Sequence, residues 1–498
     1  MRIRNYELLT NHGNKVGRKA AVDIIEAGLS AGNPYNNTLK LISIKDNKLI
    51  FDCKEMESVG DPRSGPSIFD LDKIDRIFIF AVGKGILYMV KALEEVLGDR
   101  ITGGLAIGKH GDENIVERVE VTFGSHPVPD EHGVNGCRRM MEMIASLNLT
   151  ENDLVITVMG NGCSALACLP DEGISIEDVK FLNQYGLIDK GMNTEAISYL
   201  RNQIDCFRGG RVLRAIRPAQ IVNLLGIGPG GLARNDRSYA TPYESFLRNN
   251  LWLPTLSDVT TPKEAISIAK LWDVFDGLPE SIQKKLLSNP EKSETLSFEE
   301  YESYNCRVFG VMPSSMSALD AAMEKARELG FETHYINSYW HVESAPVGGY
   351  VAQLARTIQS SGKPYTAPCA LFETGELVVT VSGEAGIGGT NQEFCAYGAT
   401  FLDGNKRIVM AAVDTDGTDG PGGNFHPEAT ALGINCLTGG VVDGYTAAEA
   451  KEKGVDLFTA CKTHDTSKAL WEIGSGIAAV QNISVGDLHC ILIMDSDG

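Results

Sequence analysis

The chain has 498 residues, about three times the roughly 150 residues of a common domain, so two or three domains with sizeable cores are expected. Hydrophobic residues at 43%, charged residues at 22% and 53 glycines make a globular composition and exclude fibrous and disordered classes. With 45 basic against 65 acidic residues the net charge is −20, which opposes sequence-independent attraction to nucleic acid or anionic membrane, so neither is expected as a partner. Eleven cysteines without a C-x-x-C pair show neither disulfide nor zinc spacing and fit a reducing cytoplasm. The opening MRIRNYELLTNHGNK has no apolar stretch of signal-peptide length, and IFIFAV and CILIM are too short to span lipid, so a soluble, uncleaved chain is expected.

From residue 74 short β-branched runs alternate with helical periodicity: 77–82 reads as a strand, 86–97 as a helix, 104–107 and 119–123 as strands. A strand follows at 154–158, helical stretches at 176–185 and 195–204, and an apolar run at 221–225. This rhythm predicts α/β architecture with a parallel sheet and covering helices. Residues 289–304, NPEKSETLSFEEYESY, are polar and acidic without a sustained apolar face, which makes them the linker candidate and places the domains at 1–300 and 301–498. Beyond it, 307–312, 332–336, 376–381 and 407–413 read as strands, 316–329 and 347–358 as helices, and 488–494 closes the chain: a second, smaller α/β domain.

Several strand ends carry motifs suited to chemistry. In AVGKG a buried strand runs into a glycine turn and a helix, and Gly83 and Lys84 there suit a phosphate or carboxylate; the alternative is a solvated lysine at a helix start. In GSHPVPDEHG, Asp130 and Glu131 belong to the first turn of the next helix, and His126 is either a cleft residue or a satisfied loop histidine. MGNGCSALACLP offers the amides of Gly162, Cys163 and Ser164 as an anion cradle, whereas Cys163 lacks a local base to make it a nucleophile. RGGR sets Arg208 and Arg211 around a glycine pair as a bidentate fork or an ordinary charged helix end. GIGPGG, at 226–231, matches G-x-G-x-x-G, but Pro229 argues against a dinucleotide fingerprint. GEAGIGGTNQEF enters a helix with Thr390 or Asn391 as cap and Gln392 and Glu393 in its first turn. AAVDTDGTDGP is the densest carboxylate cluster: Asp414, Asp416 and Asp419 follow a strand and can hold Mg²⁺ or accept a hydroxyl proton, although the spacing is not that of an EF-hand.

Taken in order, AVGKG, HPVPDE, SAL with LPDEGISIED, RGGR, GG-x-NQE and DTDGTDGP resemble the type-2 glycerate kinases, the glycerate 2-kinase family that carries a C-terminal MOFRL domain and is sometimes labelled hydroxypyruvate reductase. The resemblance runs from about residue 15 to the C-terminus. It implies a Rossmann-like N-terminal domain, a smaller MOFRL-like C-terminal domain, and a cleft binding ATP, Mg²⁺ and D-glycerate, with 2-phosphoglycerate as product. In that scheme Lys84 and Asp416 are the catalytic candidates. Gly83, His126, Gly162, Cys163, Ser164, Arg208, Arg211, Thr390, Asn391 and Gln392 contact substrate or nucleotide, and Asp414, Asp416 and Asp419 hold the metal. The partners are then a hydroxy-acid substrate and a nucleotide, and the reading leaves room for a homo-oligomer.

The chain departs from the family inside its motifs. Met159, Gly160, Asn161, Gly162, Cys163 and Ser164 stand where S-G-G-G-S is usual, and Arg201 to Asp205 where R-K-H-L-S is usual. NLLGIGPGG replaces S-D-V-x-G-D, and Thr390 stands where G-G-R-N-Q-E has an arginine. Each lost cation removes charge-assisted bonding worth a few kcal/mol. A non-catalytic metabolite-binding paralogue therefore stands beside the kinase, and the glycine loop at Gly226, with the family's other label, adds an NAD(P)-linked hydroxypyruvate reductase.

Overall fold

The computed structural model describes residues 1–58, 60–228, 242–312, 317–381, 383–483 and 486–495. By its contacts the chain forms two units, one of Pro34–Ser315 and one that joins Met1–Asn33 to Met316–Gly498.

The first unit begins with an antiparallel meander, β1 (Ile42–Lys45), β2 (Lys48–Phe51) and β3 (Ser67–Asp70). Six further strands form a parallel sheet: β4 (Arg76–Val82), β5 (Ile101–Lys109), β6 (Glu120–Gly124), β7 (Asp153–Met159), β8 (Gln220–Leu225) and β9 (Cys306–Gly310). RIFIFAV and DLVITVM are near-continuous apolar runs because both faces of β4 and β7 are covered by helices. The order is β6-β5-β4-β7-β8-β9. The chain builds outward from β4 to β6, returns to lay β7 against β4, and builds outward again. That reversal opens a crevice beyond the carboxyl ends of β4 and β7, the place where sheets of this Rossmann-like order bind ligands.

The linker expected at 289–304 is part of this unit instead. Leu296 and Tyr301 are fully buried, the Leu296 amide donates to Gly209 O at 2.8 Å, and Arg214 pairs with Glu300 at 2.7 Å. Its apolar residues are too few and too irregularly spaced to register as a period, yet they are core residues.

In the second unit β10 (Glu332–Glu343), β11 (Cys369–Val378), β12 (Ile408–Asp414), β13 (Gly439–Asp443), β14 (Gly476–Ile477) and β15 (Asp487–Ile493) form a sheet of order β10-β11-β15-β12-β13-β14. β10 and β11 are parallel and the other pairs antiparallel. One face is covered by the helices Lys15–Ala31 and Ser317–Glu328, through Val22, Ile25, Leu29 and Leu319 against Val409, Leu488 and Leu492. Arg18, fully buried, donates from Nε to Asp443 at 2.6 Å and from Nη2 to Thr446 and Ser475. The domain division at residue 300 thus differs from the observed one in two ways: the first 33 residues pack with the C-terminal half, and the first sheet is completed by β9. All eleven cysteines are free thiols, and among the described residues no helix is long and apolar enough to cross a membrane.

Candidate functional site

In the first unit AVGKG and MGNG leave the adjacent strands β4 and β7 and interlock. The Lys84 amide donates to Asn161 O at 2.7 Å, and the Gly160 amide to Val82 O at 2.9 Å. Gly83 sits at φ +135°, and a Cβ there would lie 2.6 Å from the Gly160 Cα, so this backbone contact requires glycine. Lys84 is buried at this junction. His126, from the loop after β6, packs on Gly162, where a Cβ would come within 2.7 Å of the imidazole. Desolvation first, then the charges of Lys84, Lys109 and Arg201, hold His126 well below its usual pKa. His126 is therefore held neutral in the field of these cations, an electrostatic setting that favours a nearby anion. Asp130 is the N-cap of the helix Glu131–Ser146, accepting the Gly133 amide at 2.9 Å, one position before the first turn expected for it, where Glu131 lies.

The Cys163 amide donates to Gly160 O at 3.3 Å and so is engaged within the loop, and the helix it opens, Cys163–Leu166, has four residues. The Cys163 thiol is fully buried and burial pushes it up to about 12, which excludes a thiolate nucleophile. RGGR does not form a two-guanidinium fork: Arg211 Nη1 donates to Asn202 O and Arg208 O at 2.8 and 3.1 Å, a staple on neighbouring backbone. Arg208 instead reaches the Ser164 carbonyl together with Arg201, so Ser164 contributes its carbonyl to this cluster. Of GIGPGG only 226–228 is described; Pro229, Gly230 and Gly231 lie outside the described residues.

In the second unit β12 delivers Asp414 to a loop of successive side-chain-capped turns. Asp414 Oδ1 accepts the Asp416 amide at 3.0 Å, and Asp416 Oδ1 accepts the Thr418 amide and hydroxyl, both at 2.8 Å. Asp419 turns toward the helix Thr390–Leu402. Its Oδ1 accepts the Thr390 hydroxyl at 3.1 Å and the Asn391 amide at 3.2 Å, and its Oδ2 the Gln392 amide at 2.9 Å. Gln392 Nε2 adds a bond to the Asp419 carbonyl at 2.8 Å. The helix is thus capped from a distant loop and not by Thr390 or Asn391, as expected; its N-cap residue is Gly389, where any Cβ would collide with Asp419. Burial raises the Asp419 carboxyl above its usual pKa against the pull of these bonds.

The three-aspartate metal set is accordingly not assembled. Both Asp419 oxygens accept protein donors, and among the described residues no group of three His, Cys, Asp or Glu side chains is arranged to hold a metal. Asp414, half-buried, and Asp416, buried, share the loop that follows β12. Two carboxylates completed by ligand phosphates are the usual protein contribution to bound Mg²⁺, a donor set this pair fits.

Motif reading missed three residues. Lys109 ends β5 without a local pattern that marks it, and Arg201, in the last turn of the helix Thr194–Gln203, stands out only as the start of a departed family motif. Asp487 opens β15 and accepts from Asn391 Nδ2 at 2.7 Å and from the Leu377 amide at 2.8 Å, while burial pushes its carboxyl up to about 7. Only the aspartate in GDLHCILIM, ahead of an apolar run, signalled it.

Two families match the chain: a domain of unknown function, DUF4147, over residues 20–226, and the MOFRL family over residues 369–482. The glycerate 2-kinase of Pyrococcus horikoshii is 29% identical over 463 residues, spanning 91% of this chain and 93% of that protein. The D-glycerate 2-kinase of Thermotoga maritima is 29% identical over 447 residues, spanning 89% and 96%. The crystal structure of a glycerate kinase from Thermotoga maritima matches with a TM-score of 0.66 at 28% identity, covering 96% of this chain and 99% of that one.

Proposed function

Because this chain belongs to the glycerate 2-kinase family, we infer that it is an ATP-dependent kinase of a small hydroxy acid, with D-glycerate converted to 2-phosphoglycerate as the default reaction. The observation that carries this reading on the chain's own residues is the switch-point crevice, where the interlocked glycine loops hold Lys84 and His126 packs on Gly162. Phosphoryl transfer asks little covalent chemistry of a protein and much charge neutralisation and positioning. Lys84 supplies a cation held in place by the interlocked glycine loops, and it neutralises a phosphate or carboxylate oxygen. His126, kept neutral, adds a hydrogen-bond donor or acceptor there without repelling a neighbouring cation.

Asp414 and Asp416 are the residues that would hold Mg²⁺, which when bound neutralises and orients nucleotide phosphates. Asp416 is also the candidate acceptor for the proton of the attacking hydroxyl. Asn391, Gln392 and Asp419 act one step back, by fixing the loop that carries both aspartates. Thr390, in place of the family arginine, bonds Asp419 and leaves this region less cationic, which favours acids with fewer or differently placed charges than the usual substrate.

The test is ADP release with D-glycerate and a panel of related hydroxy acids at varied Mg²⁺. Turnover that depends on the acid supports the kinase. A metabolite that raises the melting temperature without any turnover supports the non-catalytic paralogue, and nicotinamide-cofactor binding would revive the reductase.

A further inference from the structure

Two guanidiniums of the first unit are buried against neutral partners. Arg201 is 4% and Arg208 2% exposed. Arg201 donates to Asn183 Oδ1 and Ser164 O, and Arg208 to Asn202 Oδ1 and the same Ser164 O. Arg208 Nη2 is buried with no partner at all. The nearby carboxylate of Asp205 accepts from the backbone amides of Leu169, Phe207 and Arg208.

Both guanidiniums line one cavity of about 10 Å³, together with Pro129, Ser164, Asn183 and Asp205. A guanidinium does not shed its proton in a protein, and a buried charge calls for a compensating one. Burial, followed by the charge of Arg208, depresses the pKa of Arg201, the signature of two like charges incompletely offset. A water in the cavity would satisfy Nη2 and leave that excess in place. So small a space favours a compact, spherical ion over a carboxylate or phosphate group.

We propose that this cavity is a resident site for a monovalent, halide-sized inorganic anion held between Arg201 and Arg208. The anion supplies the missing acceptor and the missing negative charge at once. Because both arginines grip the Ser164 carbonyl, it also stiffens the loop that carries Gly162 against His126. The proposal does not depend on the kinase reading.

The test uses the full-length protein. Crystals grown in sodium bromide should show an anomalous peak between the two guanidiniums. Melting in sodium chloride should exceed melting in sodium gluconate of equal ionic strength by about 2–4 °C, and Arg208→Gln should abolish that difference. If Arg208→Gln does not fold, the bromide peak in the unaltered protein decides alone. A peak that scatters as water, with equal melting in both salts, overturns the proposal. So does displacement of bromide by added D-glycerate, which would make the cavity a substrate subsite.

Discussion

Asp419→Ala separates a metal ligand from a helix cap. The substitution removes two oxygens that receive the Asn391 and Gln392 amides and the Thr390 hydroxyl. Loss of an N-cap acceptor costs about 1–2 kcal/mol, and buried donors left unsatisfied cost about 1–3 kcal/mol. Removing a carboxylate that burial itself penalises offsets part of this, so a net loss of about 2–3 kcal/mol is expected for the helix Thr390–Leu402. Native-state hydrogen exchange reads it locally: amide exchange across this helix should accelerate about 30- to 150-fold, tenfold for each 1.4 kcal/mol. A Mg²⁺ titration of ADP release should keep its half-saturation point even as the maximal rate falls. The reasoning is refuted if exchange changes less than about fivefold while the Mg²⁺ requirement rises steeply, for then the side chain serves the metal.

Three further outcomes are expected. Arg18→Met should lower stability by about 3–5 kcal/mol in urea unfolding, because it strands Asp443 in the core; a loss under about 1 kcal/mol would contradict the placement of the N-terminal helix. Cys163 should resist iodoacetamide at pH 8 and Cys163→Ala should retain turnover, since burial keeps the thiol protonated; mass-spectrometric detection of rapid alkylation there would argue otherwise. Asp487 is raised to about 7 when folded, so the native state keeps a proton that the unfolded chain releases near pH 4, and its contribution to stability declines as pH rises between those values. The stability of the unaltered protein relative to Asp487→Asn should therefore be greater at pH 5 than at pH 8, and an equal gap at both would exclude the shift.

Much of the first unit was legible because its strands are buried on both faces and its helices have turn-rich ends. Residues 77–82 and 86–97 fall on β4 and the helix Ile86–Leu97 almost without adjustment. The glycine loops were legible as loops, but not their mutual contact, which depends on β4 and β7 becoming neighbours across 70 residues of chain. For the same reason the sequence showed Asp419 as one of three clustered carboxylates, while the tertiary fold turns it away to cap a helix. The linker was misjudged because Leu296 and Tyr301 sit among charged residues whose side chains point to solvent. The N-terminal helix, by contrast, has a clear apolar face, and nothing in its pattern tells which sheet that face will cover.

The most direct measurement of the central claim is phosphorus NMR of a mixture of the protein, ATP, Mg²⁺ and D-glycerate, repeated with Lys84→Met. A phosphomonoester on the C2 oxygen, formed by the unaltered protein and lost in the variant, is the predicted result. ATP left intact beside every hydroxy acid tried, or equal transfer by Lys84→Met, would contradict a phosphoryl-transfer site at the carboxyl ends of β4 and β7.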